Sequence, residues 1–76
     1  MNTVKLVGKS MKGKNRVREH GSVWTVHVIT EKVLFNPQPG PWLFVSPLGR
    51  LFQDKASRWV HQTDDQDFIV DSEAEG

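Results

Sequence analysis

Cysteine and tyrosine are both absent from the 76 residues. Without cysteine no disulfide reinforces the chain, and zinc loses its best structural ligand. The same absence agrees with a reducing, cytoplasmic location. No apolar run approaches the ~20 residues of a membrane span, and no apolar signal segment follows Met1, so no membrane partner is expected. Motifs for chemistry are missing as well. Gly8-Lys9-Ser10 ends like a phosphate-binding P-loop, but that loop needs a glycine where this chain has Thr3. No Gly-x-Ser-x-Gly elbow frames a nucleophile. His20, His27 and His61 stand far apart in the chain, and Asp64, Asp65 and Asp67 lack the later ligand and central glycine of a calcium loop. The expectation is therefore a protein that is not an enzyme, with no cofactor and no bound metal.

What the chain does have is three tryptophans and four phenylalanines. A domain of this size buries only about 60% of its unfolded surface. Each large ring can bury about 150–250 Å², so the aromatics must do much of the stabilising. The organising stretch is Val23-Trp24-Thr25-Val26-His27-Val28-Ile29-Thr30, rich in the β-branched residues that suit a pleated surface. Strict alternation puts Trp24, Val26 and Val28 on one side and Val23, Thr25, His27 and Ile29 on the other. It is predicted to be the central strand of a small all-β domain.

Around it, residues 3–7 read as a first strand ended by Gly8. Residues 9–15, polar, basic and interrupted by Gly13, read as a flexible loop. Arg16 to Glu19 is expected to pair antiparallel with Ser22 to Val26 through a His20-Gly21 turn. Val33-Leu34-Phe35 extends the central strand past a bulge or begins another. The prolines at 37, 39 and 41 make a stiff, exposed connection that no ladder can include. Trp42 to Ser46 is the next strand, with Arg50 to Phe52 as its return after Pro47-Leu48-Gly49. A polar link over 53–57, a strand over 58–61, a turn over 63–66 and a closing strand over 67–70 complete the domain. Residues 1–70 thus form one small β domain, and 71–76 are expected to be a disordered acidic tail.

Five or six short strands with turn signals between them predict a small barrel or a strongly bent antiparallel sheet. Over residues 14–29, a basic strand, a His-Gly turn and a Val-Trp-x-Val strand resemble the opening hairpin of SH3-like small barrels of the KOW and Tudor type. The resemblance is one of fold. It implies relatives that bind nucleic acid or peptides without doing chemistry, although the aromatic cage of a Tudor module would normally use tyrosines. The short, aromatic-rich, acid-tailed chain also resembles small accessory proteins of phages and prophages.

The net charge of +1 hides an asymmetry, with six basic residues and one acidic among 1–20, and six acidic with no base among 63–76. Two binding readings follow. In the first, Lys9, Lys12, Lys14, Arg16 and Arg18 meet nucleic-acid phosphates while Trp42 or Phe44 stacks a base. In the second, Trp42, Phe44 and Trp59 form an apolar patch rimmed by Arg50 and Arg58. That patch binds a protein beside the stiff Pro39-Gly40-Pro41 loop, homodimerisation included. An exposed ring face exists if Val26, Leu43, Val45, Val60 and Ile69 form the core and Trp24, Trp42 and Phe44 lie outside it. Rings sharing a face with residues 9–18 would favour nucleic acid, and a neutral ring face remote from them would favour protein.

Overall fold

The computed structural model describes residues 2–71. They form strands β1 (Asn2–Gly8), β2 (Val23–Thr30), β3 (Trp42–Pro47), β4 (Arg58–His61) and β5 (Phe68–Asp71), with one helix, α1 (Met11–His20). The strands make a single antiparallel sheet in the order β4-β3-β2-β1-β5, so the β-branched stretch 23–30 is indeed its middle strand. The sheet curls into a half-barrel, the all-β barrel-like architecture that the spacing of strands and turns predicts. Residues 72–76 of the expected acidic tail lie outside the described residues, and Asp71 closes β5.

The hairpin expected between residues 16–19 and 22–26 does not form. β2 pairs instead with β1, Val4 opposite Trp24 and Lys5 opposite Val23. The basic segment is helical, and its ends carry the reason. Ser10 has an extended backbone and its Oγ accepts a bond from the Gly13 amide, capping the first turn. At the other end Gly21 takes φ 92° and donates its amide to the Val17 carbonyl at 2.7 Å. Arg18 and His20 in the last turn suit the negative end of the helix dipole. Gly13 is thus no loop breaker. It is the point where α1 touches the loop before β5, because a Cβ there would collide with the Asp67 carbonyl.

One face of the sheet, covered by α1, holds the core: Val4, Leu6, Trp24, Leu43, Val45, Ala56, Val60 and Phe68, with Val17, Val26 and Val70 packed against them. Trp24 is its centre. The ring is fully buried, its Nε1 donates to the Gly21 carbonyl at 2.9 Å, and it meets His20 and Phe68 at centroid distances of 6.0 and 6.4 Å. Trp24 therefore belongs to the core, whereas Ile69 is 54% exposed on the opposite face.

The expected return strand over 50–52 is replaced by successive turns, in which Arg50, Asp54 and Ser57 donate amides to Pro47, Leu51 and Asp54. The partner of β3 is β4, starting only at Arg58. Residues 33–35 likewise form no strand beyond one isolated bridge from Val33 to Asn36. The proline-rich connection folds back on the sheet. The Trp42 Nε1 donates to Gln38 O at 3.0 Å and His61 Nε2 to Pro39 O at 2.7 Å, and the Gly40-Pro41 peptide is cis.

Candidate functional site

Register decides which side chains reach the face away from α1. A bulge between Val26 and Val28 interrupts the β2–β3 ladder, after which Val28 pairs with Phe44 and Ile29 with Leu43. Directly opposed residues share a face, so Val28, Phe44 and Trp59 stand together across three strands. The strict alternation expected for β2 breaks at the bulge. His27 and Val28 both join the outer face, and Ile29 turns toward the core side.

On that outer face the rings touch. Phe44 lies 6.3 Å from His27, 5.1 Å from Phe52 and 5.1 Å from Trp59, and His27 meets Phe52 edge-on at 5.2 Å. His27 is held by its Nε2, 2.8 Å from the Ser46 hydroxyl. Ser46 Oγ donates its one proton to the Leu51 carbonyl at 3.2 Å and has Ser57 Oγ at 2.6 Å. With that proton on the Leu51 carbonyl, Ser57 and His27 are left to donate to the Ser46 oxygen. The buried serine anchors a ring and a loop, and its lone pairs are taken.

Beside the rings is an apolar groove of about 320 Å³, lined by Val28, Val33, Leu34, Phe35 and Trp59 with Thr30 and Lys32 at the rim. Phe35 is 73% exposed and Leu34 entirely so. A second hollow of about 540 Å³ lies where Leu48, Leu51 and Phe52 approach Thr25 and His27. Apolar surface left open at this density is unusual for a chain short of core.

The site residues expected from the sequence are divided by the sheet. Lys12, Lys14, Arg16 and Arg18 ride on α1 and Lys9 just before it, on the core side. Lys9 Nζ donates to Asp65 O at 3.2 Å, Arg18 to Asn15 Oδ1 at 2.6 Å, and Arg16 pairs with Glu19 at 3.4 Å. Arg58 also faces that side, its guanidinium 5.6 Å above the Phe68 ring. Burial, and then the charge of Arg16, lower its pKa against the raising influence of Asp67 and Asp65. Arg50 pairs with Asp54 at 3.6 Å. Phe44 and Trp59 are half-buried on the outer face. Trp42 is a plug, only 6% exposed, its ring set edge-on to His61 with the centroids 4.8 Å apart.

Sequence reasoning misses His27, Val28, Leu34, Phe35 and Phe52 as parts of the ring face. The bulge leaves no mark in the composition of β2. Leu34 and Phe35 read as strand because they are apolar. The acidic turn proves to be structural, since Asp65 accepts from the amides of His61, Asp67 and Phe68 at 2.9 to 3.2 Å. Fold and surface together define a small all-β, barrel-like protein with an open aromatic face. Compared with protein families, curated proteins and solved structures, the chain finds no match in any of the three.

Proposed function

We propose that this protein is a non-catalytic interaction module that docks an apolar segment of a partner protein on the outer face of its sheet. The observation that carries the reading is the continuous cluster of His27, Phe44, Phe52 and Trp59 opposite α1, prolonged by exposed Phe35 and Leu34. Large rings held in place supply binding energy at small entropic cost. The groove beside them has an uncharged floor, with Lys32 alone of its lining bearing charge, so it selects an apolar occupant over an ionic one. The nucleic-acid reading needs a ring beside the basic segment. Trp42 is sealed under residues 38–41, and Phe44 lies across the sheet from α1, which leaves the lysines without a stacking partner. A five-stranded curled sheet also suits kinship with SH3-like barrels, whose members include peptide binders.

Selection of a random displayed peptide library on the immobilised protein tests the reading. The expected result is a consensus rich in aliphatic and aromatic residues, lost for Leu34→Ser/Phe35→Ser and kept for Lys12→Gln/Lys14→Gln/Arg18→Gln. Absence of any consensus, or an acidic consensus lost with the helix variant, would contradict it. So would a concentration-dependent dimer in sedimentation that the Leu34→Ser/Phe35→Ser variant abolishes, since the occupant would then be a second copy.

A further inference from the structure

A second concave surface lies on the helix side, between the end of α1 and the loop leading into β4. Arg16, Arg50, Lys55 and Arg58 line a cleft of about 580 Å³ with His20 on its wall. Glu19 and Asp54 are the carboxylates in that lining, leaving positive charge in excess. Neither carboxylate neutralises its partner tightly. Arg16 meets Glu19 through Nη1 alone, at 3.4 Å, and its Nε is buried with no hydrogen-bond partner. Arg50 reaches Asp54 at 3.6 Å with its side chain 59% exposed. Among the described residues no ion pair includes Arg58 or Lys55. The Arg58 side chain is nonetheless fixed, resting over Phe68 with its Nε directed at the Ala56 carbonyl, 3.4 Å away. Burial and the neighbouring Arg16 disfavour its charge, while Asp67 and Asp65 favour it.

We propose that this cleft binds a phosphate group, with Arg16 and Arg58 as its held donors and Arg50 and Lys55 as exposed charges at its mouth. A phosphate monoester brings a charge of about −1.5 to −2 and three acceptor oxygens, enough to engage two guanidinium forks and offset the excess. A carboxylate has one charge and two oxygens. The rest of α1 argues for a compact ligand over a polynucleotide backbone. Lys14 and Arg18 each sit two positions from Arg16, about 160–200° around the helix. Lys12, four positions before Arg16, is the one other basic residue of α1 on the Arg16 side, which is short of the track a polynucleotide backbone would follow. The held donors Arg16 and Arg58 are on the opposite side of the sheet from the ring face, and of the cleft's four cations only Arg50 also borders the hollow beside Phe52.

Titration of inorganic phosphate into ¹⁵N-labelled protein, at ionic strength held constant with sodium chloride, tests the site, with adenosine monophosphate as a second arm. The expected result is saturable amide shifts at Arg16, Glu19, His20 and residues 54–58, with Val28, Phe44 and Trp59 unmoved. Saturation at a lower concentration of adenosine monophosphate identifies a phosphate monoester as the source, and saturation by phosphate alone identifies the free ion. Both support the site. Arg50→Gln/Lys55→Gln, which touches only exposed side chains, is expected to weaken binding about ten-fold. Arg16→Gln is expected to weaken it at least as much. Linear shifts matching those of chloride, undiminished binding by both variants, or a response only to a single-stranded oligonucleotide would overturn the proposal.

Discussion

At Gly13 a single methyl group separates two opposite expectations. In an ordinary exposed helix, glycine to alanine stabilises by about 1 kcal/mol. Here the added Cβ meets the Asp67 carbonyl, and moving that backbone disturbs the capping of α1 and the entry to β5 together. Gly13→Ala is expected to destabilise by about 1–3 kcal/mol, read from the midpoint of denaturant unfolding. An increase in stability would mean that α1 does not approach residue 67 this closely. His61 is a second such residue. It is 4% exposed, donates from Nε2 to Pro39 O, and accepts at Nδ1 from the amides of Thr63 and Asp64 at 3.2 and 3.0 Å. His61→Ala is expected to cost about 2–4 kcal/mol through the cavity beside Trp42 and the orphaned amides, with unchanged stability as the contrary result. Neither role is legible in the sequence. Glycine in a basic run looks like a breaker until the carbonyl it faces is known, and a histidine in Arg-Trp-Val-His looks like any strand residue.

The elements divide by how local their causes are. All five strands were legible because β-branched and aromatic runs bounded by Gly, Pro and Asp are local signals. α1 was not, because only Gly13, Val17 and His20 of its ten residues reach the core and it carries no apolar stripe. What marks it is punctuation: Ser10 before, Gly21 after, and a run of lysine and arginine that tolerates helix well. Ser10 Oγ accepts from Gly13 N at 3.0 Å and donates to Asp67 Oδ1 at 2.6 Å. Ser10→Ala is therefore expected to cost about 0.5–2 kcal/mol and to reduce the helical circular-dichroism signal, whereas Ser10→Asp should retain the cap but repel Asp67. No effect from Ser10→Ala would remove the cap from the account. The ring face was legible in part. Phe44 and Trp59 are recoverable from alternation, but His27, Val28 and Phe52 depend on a bulge and on a ten-residue loop that no propensity specifies.

For the whole molecule, the sheet is a partition. Its helix side carries the core and the basic residues of α1, and its other side carries rings with little else to cover them. This separation distinguishes stability from binding. Leu34→Ser/Phe35→Ser removes two exposed side chains, so each change is expected to alter unfolding free energy by no more than about 0.5 kcal/mol while abolishing peptide selection. A large loss of stability would show instead that residues 34 and 35 are part of the core. The most direct test of the central claim is to map a selected peptide on the ¹⁵N-labelled protein by amide shifts. The account expects the shifts at His27, Val28, Phe35, Phe44, Phe52 and Trp59. Shifts concentrated on residues 9–20, with those positions silent, would contradict it and return the binding function to the basic helix.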